Sequence, residues 1–137
     1  MYGIEGAPAQ TRDFIIRNNI FFEARGHSFW APAWSREGTD SLKMDHNCWH
    51  QPEAFMIFLQ AEVFTMNQFS RYQAERNTEP NSILAEPGFV DTARRDFRLR
   101  AGSPCIGAGA VTDRTVDFDG TSVPQGIAPD IGAYEYH

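Results

Sequence analysis

Apolar side chains recur at every second position in two short runs near the start of the chain: Phe14 and Ile16, then Ile20 and Phe22. A period of two predicts two short strands that share one buried face, with Asn18-Asn19 as the corner between them. Leu42-Lys43-Met44-Asp45-His46-Asn47-Cys48-Trp49 repeats the pattern, with Leu42 under Phe14, Met44 under Ile16, Asn47 under Asn19 and Cys48 under Ile20. Self-similarity of this kind points to a solenoid, because a coil that cannot bury its apolar face alone must stack on a neighbour. Asn side chains at matching corners would then bond to one another as a ladder. Phe55-Met56-Ile57-Phe58-Leu59 predicts a strand in the next coil, with Phe55, Ile57 and Leu59 inward.

The period changes after residue 64. Thr65 is placed as a helix N-cap, and Phe69 and Tyr72 fall on one helical face, so residues 65–76 are expected to form a single helix that Asn77 to Pro80 breaks. Ser82-Ile83-Leu84 starts the next segment. Asp96-Phe97-Arg98-Leu99-Arg100 alternates as a half-exposed strand does, with a basic outer face, and Asp130 to Tyr136 is expected to be a last strand covering an open end. These readings divide one domain, 1–137, into a loose leader (1–11), coils (12–64), a helix (65–76) and a terminal coil and cap (77–137).

Several motifs in the last third carry a resemblance. Glu86-Pro87-Gly88-Phe89-Val90-Asp91 is followed by Ser103-Pro104-Cys105-Ile106-Gly107-Ala108-Gly109, Asp117-Phe118-Asp119-Gly120 and Pro129-Asp130-Ile131-Gly132-Ala133-Tyr134-Glu135-Tyr136. The series resembles the C-terminal end of secreted right-handed parallel β-helix proteins of the pectate-lyase-like superfamily, closely over 80–136 and as coil repeats over 12–66. The resemblance implies an all-β fold, a short right-handed parallel β-helix of about three coils with one helical excursion and an irregular C-terminal cap. It also implies an extracellular or periplasmic location and a role on polysaccharide. Three functions stay open: a non-catalytic carbohydrate-binding module, a small glycoside hydrolase or polysaccharide lyase, and a structural end cap of a longer solenoid.

Composition narrows the partners. The 137 residues, 42% hydrophobic and 13% aromatic, can build one core. A net charge of −6 without a basic run argues against nucleic acid. No apolar run reaches the roughly 20 residues of a membrane span, and the Met1 to Gly6 stretch lacks the basic and apolar regions of a secretory signal. Cys48 and Cys105 sit in apolar contexts that favour buried unpaired thiols, a disulfide being the alternative.

The densest polar cluster is Asp45-His46-Asn47-Cys48-Trp49-His50, with Glu53 behind it. Asp45, His46, Glu53 and Glu62 are the candidate catalytic residues, because proton transfer needs groups that titrate and glycoside hydrolysis needs two carboxylates about 5–9.5 Å apart. The plain alternative is that Asp45 and Asn47 satisfy turn backbone while Trp49 covers a core edge. Phe29, Trp30, Trp34, Trp49 and His50 are the candidate sugar-stacking residues. No zinc spacing is present, and Asp117, Asp119 and Asp130 are the one place where calcium would find oxygen ligands. An uncovered face at Phe14, Ile16, Ile20 and Phe22 would favour a homo-oligomer.

Overall fold

The computed structural model describes residues 14–23, 29–31, 42–50, 57–59 and 62–137; positions 29–31, 42, 57–59, 62 and 63 are described by their place in strands alone. The 1–11 leader, Phe55, Trp34 and Glu53 lie outside the described residues. Among the described residues ten short strands and one α-helix are formed: β1 Phe14–Arg17, β2 Ile20–Phe22, β3 Phe29–Ala31, β4 Leu42–Asp45, β5 Cys48–His50, β6 Ile57–Leu59, β7 Glu62–Phe64, α1 Phe69–Arg76, β8 Ile83–Leu84, β9 Phe89–Asp91 and β10 Asp96–Leu99.

The pairing read from the hydrophobic pattern is present. β1 runs parallel to β4 with Phe14 opposite Leu42 and Ile16 opposite Met44, and β2 runs parallel to β5 with Ile20 opposite Cys48. Between them the corners stack: Asn47 Oδ1 accepts from the Asn19 backbone N–H at 3.0 Å and from Asn19 Nδ2 at 3.3 Å, across 28 residues. Asn18 and His46 each take a left-handed backbone, φ 59° and 50°, where the chain turns from one strand into the next.

The β-helix itself is not formed, and the resemblance that implied it is overturned with it. Among the described residues the strands make four separate small sheets, β1–β4, β2–β5–β8, β3–β6–β7 and β9–β10, none closed and none continued as a solenoid. Repetition stops for local reasons. β6 is followed by β7, which folds back antiparallel with Ile57 opposite Phe64, and β9–β10 is antiparallel with a register irregularity. Among the described residues β5 alone has parallel partners on both sides, β2 and then β8, with Cys48 opposite Ile83. The architecture is small mixed sheets with one short helix. The expected last strand at 130–136 is also absent, those residues being bends and irregular backbone.

Two cores flank the β2–β5–β8 sheet because successive side chains on a strand point to opposite faces. Trp49 points into the first core, with Met44, Phe64, Phe69 and Tyr72, and its ring stacks on Phe21 with centroids 3.8 Å apart and planes 9° apart. Cys48, one residue earlier, points into the second, with Phe89, Leu99, Cys105 and Ile131. The helix covers the first core through Phe69 and Tyr72, the face predicted for it. It starts later than expected, since Thr65 opens a 3-10 turn over Met66–Gln68 before α1 begins, and it ends at Asn77 in a left-handed cap.

The C-terminal segment covers the second core almost without regular structure. Several of its backbone N–H groups are satisfied by carboxylates, others by backbone carbonyls. Asp130 accepts from the N–H of Gly107 and of Tyr136, both at 2.7 Å; Glu135 accepts from those of Asp130 and Gln125, both at 2.9 Å. Asp117 accepts from Asp119, Thr121 and Glu135. Asn18 fastens this segment to the sheet corner, donating to the Ala110 carbonyl and accepting its N–H, both at 2.8 Å. Backbone groups here are paired by side chains and by backbone carbonyls, the buried Ile131 N–H donating to the Cys105 carbonyl at 2.9 Å.

Candidate functional site

The Asp45–His46–Asn47 corner is a structural junction. Asp45 accepts from Asn81 twice, from its backbone N–H at 2.8 Å and from Nδ2 at 2.9 Å, and its Oδ2 stands 3.1 Å from His46 Nδ1. Burial works to raise the Asp45 pKa, yet the bonds from Asn81 and His46 outweigh it and hold the carboxyl below its ordinary value. Such a group is a poor general acid near neutral pH.

Behind the corner lies a buried carboxylate that the amino-acid pattern did not single out. Glu79 is fully buried, and its Oε2 accepts from Trp49 Nε1 at 3.0 Å and from Asn47 Nδ2 at 3.1 Å. Oε1 has no aligned donor, with the Ser82 hydroxyl nearby. Burial pushes the Glu79 pKa up, against the Ser82, Trp49 and Asn47 contacts that pull it down. The same residue anchors the exit from the helix: its N–H donates to the Met44 carbonyl at 2.9 Å, and its carbonyl accepts from Gln73 Nε2 at 2.6 Å. Fully buried Glu is rare unless paired, which is why a lone acid in a helix-breaking stretch gave no signal.

This arrangement takes Trp49 out of the set of exposed stacking rings, since it is fully buried with its N–H committed to Glu79. His50 is half-buried and stacks on Phe22, centroids 5.4 Å apart. Phe29 and Trp30 belong to β3, paired with Ile57 and Phe58, and Glu62 opens β7 opposite Leu59. Asp45 and His46 are brought together; neither is placed with Glu62 by any strand pairing.

The calcium ligand set is not assembled as free oxygens. Both oxygens of Asp117 and of Asp130 accept backbone N–H groups, and Asp119-Gly120 closes a turn in which the Gly120 N–H donates to the Asp117 carbonyl. Among the described residues there is no group of three or more His, Cys, Asp or Glu able to hold a metal. Among them, too, no helix is long and apolar enough to cross a membrane.

Among the described residues an open groove of about 680 Å³ lies between β2, the β9–β10 hairpin and the C-terminal segment. Phe22, Phe89, Phe97, Phe118 and Tyr134 contribute its rings. Phe89 meets Phe22 and Phe97 edge-on at 5.2 and 5.3 Å, and Phe118 meets Tyr134 edge-on at 5.6 Å. Phe118 is 78% exposed and Phe97 43%. Beyond Tyr134 the surface turns polar, with a cleft of about 560 Å³ lined by Asp91, Arg94, Arg95, Asp96, Arg98 and Asp119. Arg98 Nε donates to Asp96 at 2.8 Å, and that bond holds the exposed Asp96 carboxyl below its usual range. The sequence did carry a clue to this site: Phe118 is an aromatic residue placed between two aspartates in a turn.

No family model, curated protein or solved structure matches the chain.

Proposed function

We propose that the chain binds carbohydrate, and that its binding surface is the aromatic groove between β2, the β9–β10 hairpin and the C-terminal segment. The observation that carries this reading is a pair of exposed rings, Phe97 and Phe118, beside the half-buried Tyr134, on an open groove whose far end meets a cleft of Arg and Asp side chains. Sugars present apolar ring faces and hydroxyl edges, and aromatic faces beside planar charged groups complement both. An extended polysaccharide segment suits an open groove better than a small enclosed ligand does.

Hydrolysis or lyase chemistry draws less support. No Asp or Glu lines the aromatic groove itself among the described residues, and in the adjoining cleft Asp96 is bonded to Arg98 and Asp91 accepts from the Arg94 N–H.

The test is titration of the purified chain with neutral and acidic oligosaccharides, for wild type, Phe118→Ala, Tyr134→Ala and Trp30→Ala/Trp34→Ala. Phe118 lies at the surface and Tyr134 is half-buried, and losing both rings is expected to weaken binding roughly tenfold or more without unfolding the protein. Binding that survives the loss of Phe118 and Tyr134 but not of Trp30 and Trp34 would move the site to the β3 region. Absence of binding to every sugar by the folded wild type would end the carbohydrate reading.

A further inference from the structure

We propose that the cleft beside the aromatic groove selects neutral sugars over uronic and sulfated ones, with Asp119 and Arg95 as the groups that engage a pair of neighbouring hydroxyls. The inference rests on the carbohydrate reading above and adds the charge class of the ligand to it. The cleft sets three guanidinium groups, Arg94, Arg95 and Arg98, against three carboxylates, Asp91, Asp96 and Asp119. Tyr134 lines both cleft and groove, so a sugar chain stacked on the rings passes directly to these groups.

Most of that charge is already committed. Both oxygens of Asp96 accept from Arg98, through Nε and Nη2, which uses the forked face by which a guanidinium would grip a ligand carboxylate. Asp91 Oδ1 accepts the Arg94 N–H at 3.1 Å, and its Oδ2 stands 3.6 Å from Arg94 Nη1. Arg95 and Asp119 are left: among the described residues neither side chain has a hydrogen bond or an ion pair. The backbone beneath each is nonetheless held. The Arg95 N–H donates to the Thr92 carbonyl at 3.1 Å at the end of the 3-10 turn Thr92–Arg94, and the Asp119 N–H donates to Asp117 Oδ1 at 2.9 Å.

A free acceptor and a free donor on fixed backbone suit neighbouring sugar hydroxyls, since each hydroxyl both donates and accepts. They do not suit a carboxylate or sulfate. Such a group sheds water on entering, and among the described residues of the cleft Arg95 alone is free to offset that loss, while Asp119 repels it. The net charge of −6 on the whole chain opposes its approach as well.

The experiment titrates the full chain with two matched pairs of oligosaccharides, each pair differing only in whether the exocyclic carbon is an alcohol or a carboxylate: cellohexaose with its uronate form, and hexagalacturonate with its carboxyl-reduced form. The neutral member of a pair is expected to bind about tenfold more tightly, with an affinity that changes less than about twofold between about 50 and 500 mM salt. Asp119→Ala and Arg95→Gln, each checked for native circular dichroism, should each weaken neutral binding roughly tenfold. Asp119→Lys should reverse the preference at low salt, a result that a merely structural role for the turn would not produce. A uronate member that binds wild type as tightly as its neutral counterpart, or a preference that Asp119→Lys leaves unchanged, overturns the inference and leaves the carbohydrate reading standing. Folded wild type that binds no member of either pair, nor any other sugar, overturns both.

Discussion

Replacing Glu79 separates two effects that a single buried carboxylate combines. Glu79→Ala removes the acceptor of two donors on fully buried residues, Trp49 Nε1 and Asn47 Nδ2. Each orphaned buried donor costs about 1–3 kcal/mol, so the variant is expected to lose about 2–6 kcal/mol, a large share of a small domain's stability. Glu79→Gln keeps a carbonyl oxygen where Oε2 lies and turns its amide nitrogen toward Ser82, so it retains the acceptor and removes the titration. The pH dependence follows from the raised pKa. Unfolded, the group titrates near 4.5; folded, it titrates higher, so its contribution is complete below pH 4.5 and is lost as pH rises through the folded value. Wild type should therefore fall behind Glu79→Gln by about 1.4 kcal/mol per pH unit over that window. Urea unfolding of the three proteins from about pH 4.5 to about pH 8, with groups common to all cancelling in the differences, measures both effects. Equal stability of Glu79→Ala and Glu79→Gln would show that the hydrogen bonds do not hold the junction. A wild-type-to-Gln difference that stays constant with pH would refute the burial effect.

Asp117 works in the opposite direction. Although burial raises its pKa, the N–H groups of Glu135, Thr121, Asp119 and Gly120 lower it further, so its contribution is present above 3.8 and lost as pH falls. Asp117→Asn should flatten the acid limb of a stability-against-pH curve, and an unchanged limb would count against it. At Gly109 an added Cβ would stand 2.7 Å from the Asp130 carbonyl oxygen and 2.9 Å from that of Pro129, whereas at Gly107 it would meet open space. Gly109→Ala is accordingly expected to lower the thermal midpoint more than Gly107→Ala does, despite the latter's φ of 63° costing about 1–2 kcal/mol; the reverse order would show that the Pro129–Asp130 backbone yields easily.

What could be read from the amino-acid pattern was pairing between close copies. Asn19 and Asn47 stand at matched corners because an amide there can bond to the next, and that constraint fixes the register of Phe14, Ile16 and Ile20 along with it. Two matching copies specify that two strands pair; they do not specify that a further coil follows. The inference to a solenoid failed there, where β6 meets β7 in a hairpin. Phe69 and Tyr72 were legible for the same local reason, their spacing on one helical face. The C-terminal segment has no period to read. Its order comes from bonds such as Asp117 to Glu135, Asp130 to Gly107 and Asn18 to Ala110, the last spanning 92 residues.

The same distance problem explains the candidate sites. Ring type alone placed Trp49 among sugar-stacking residues, whereas the fold places it beneath the sheet and gives its N–H to Glu79. The groove collects Phe22 from an edge strand, Phe89 and Phe97 from a hairpin, and Phe118 and Tyr134 from the irregular segment. A window of ten or twenty residues sees each of those rings as core. Their exposure becomes meaningful only against an interior already filled by Trp49, Phe64, Phe69 and Tyr72, with hydrogen-bonded Glu79 and Asn47 occupying positions that apolar residues ordinarily take. A chain that buries a carboxylate at its centre while leaving Phe118 in solvent has its informative residues where the hydrophobic rule is broken in both directions. The first breach, at Glu79, fastens the helix exit to the sheet; the second, at Phe118, lies on the groove proposed above to bind a ligand.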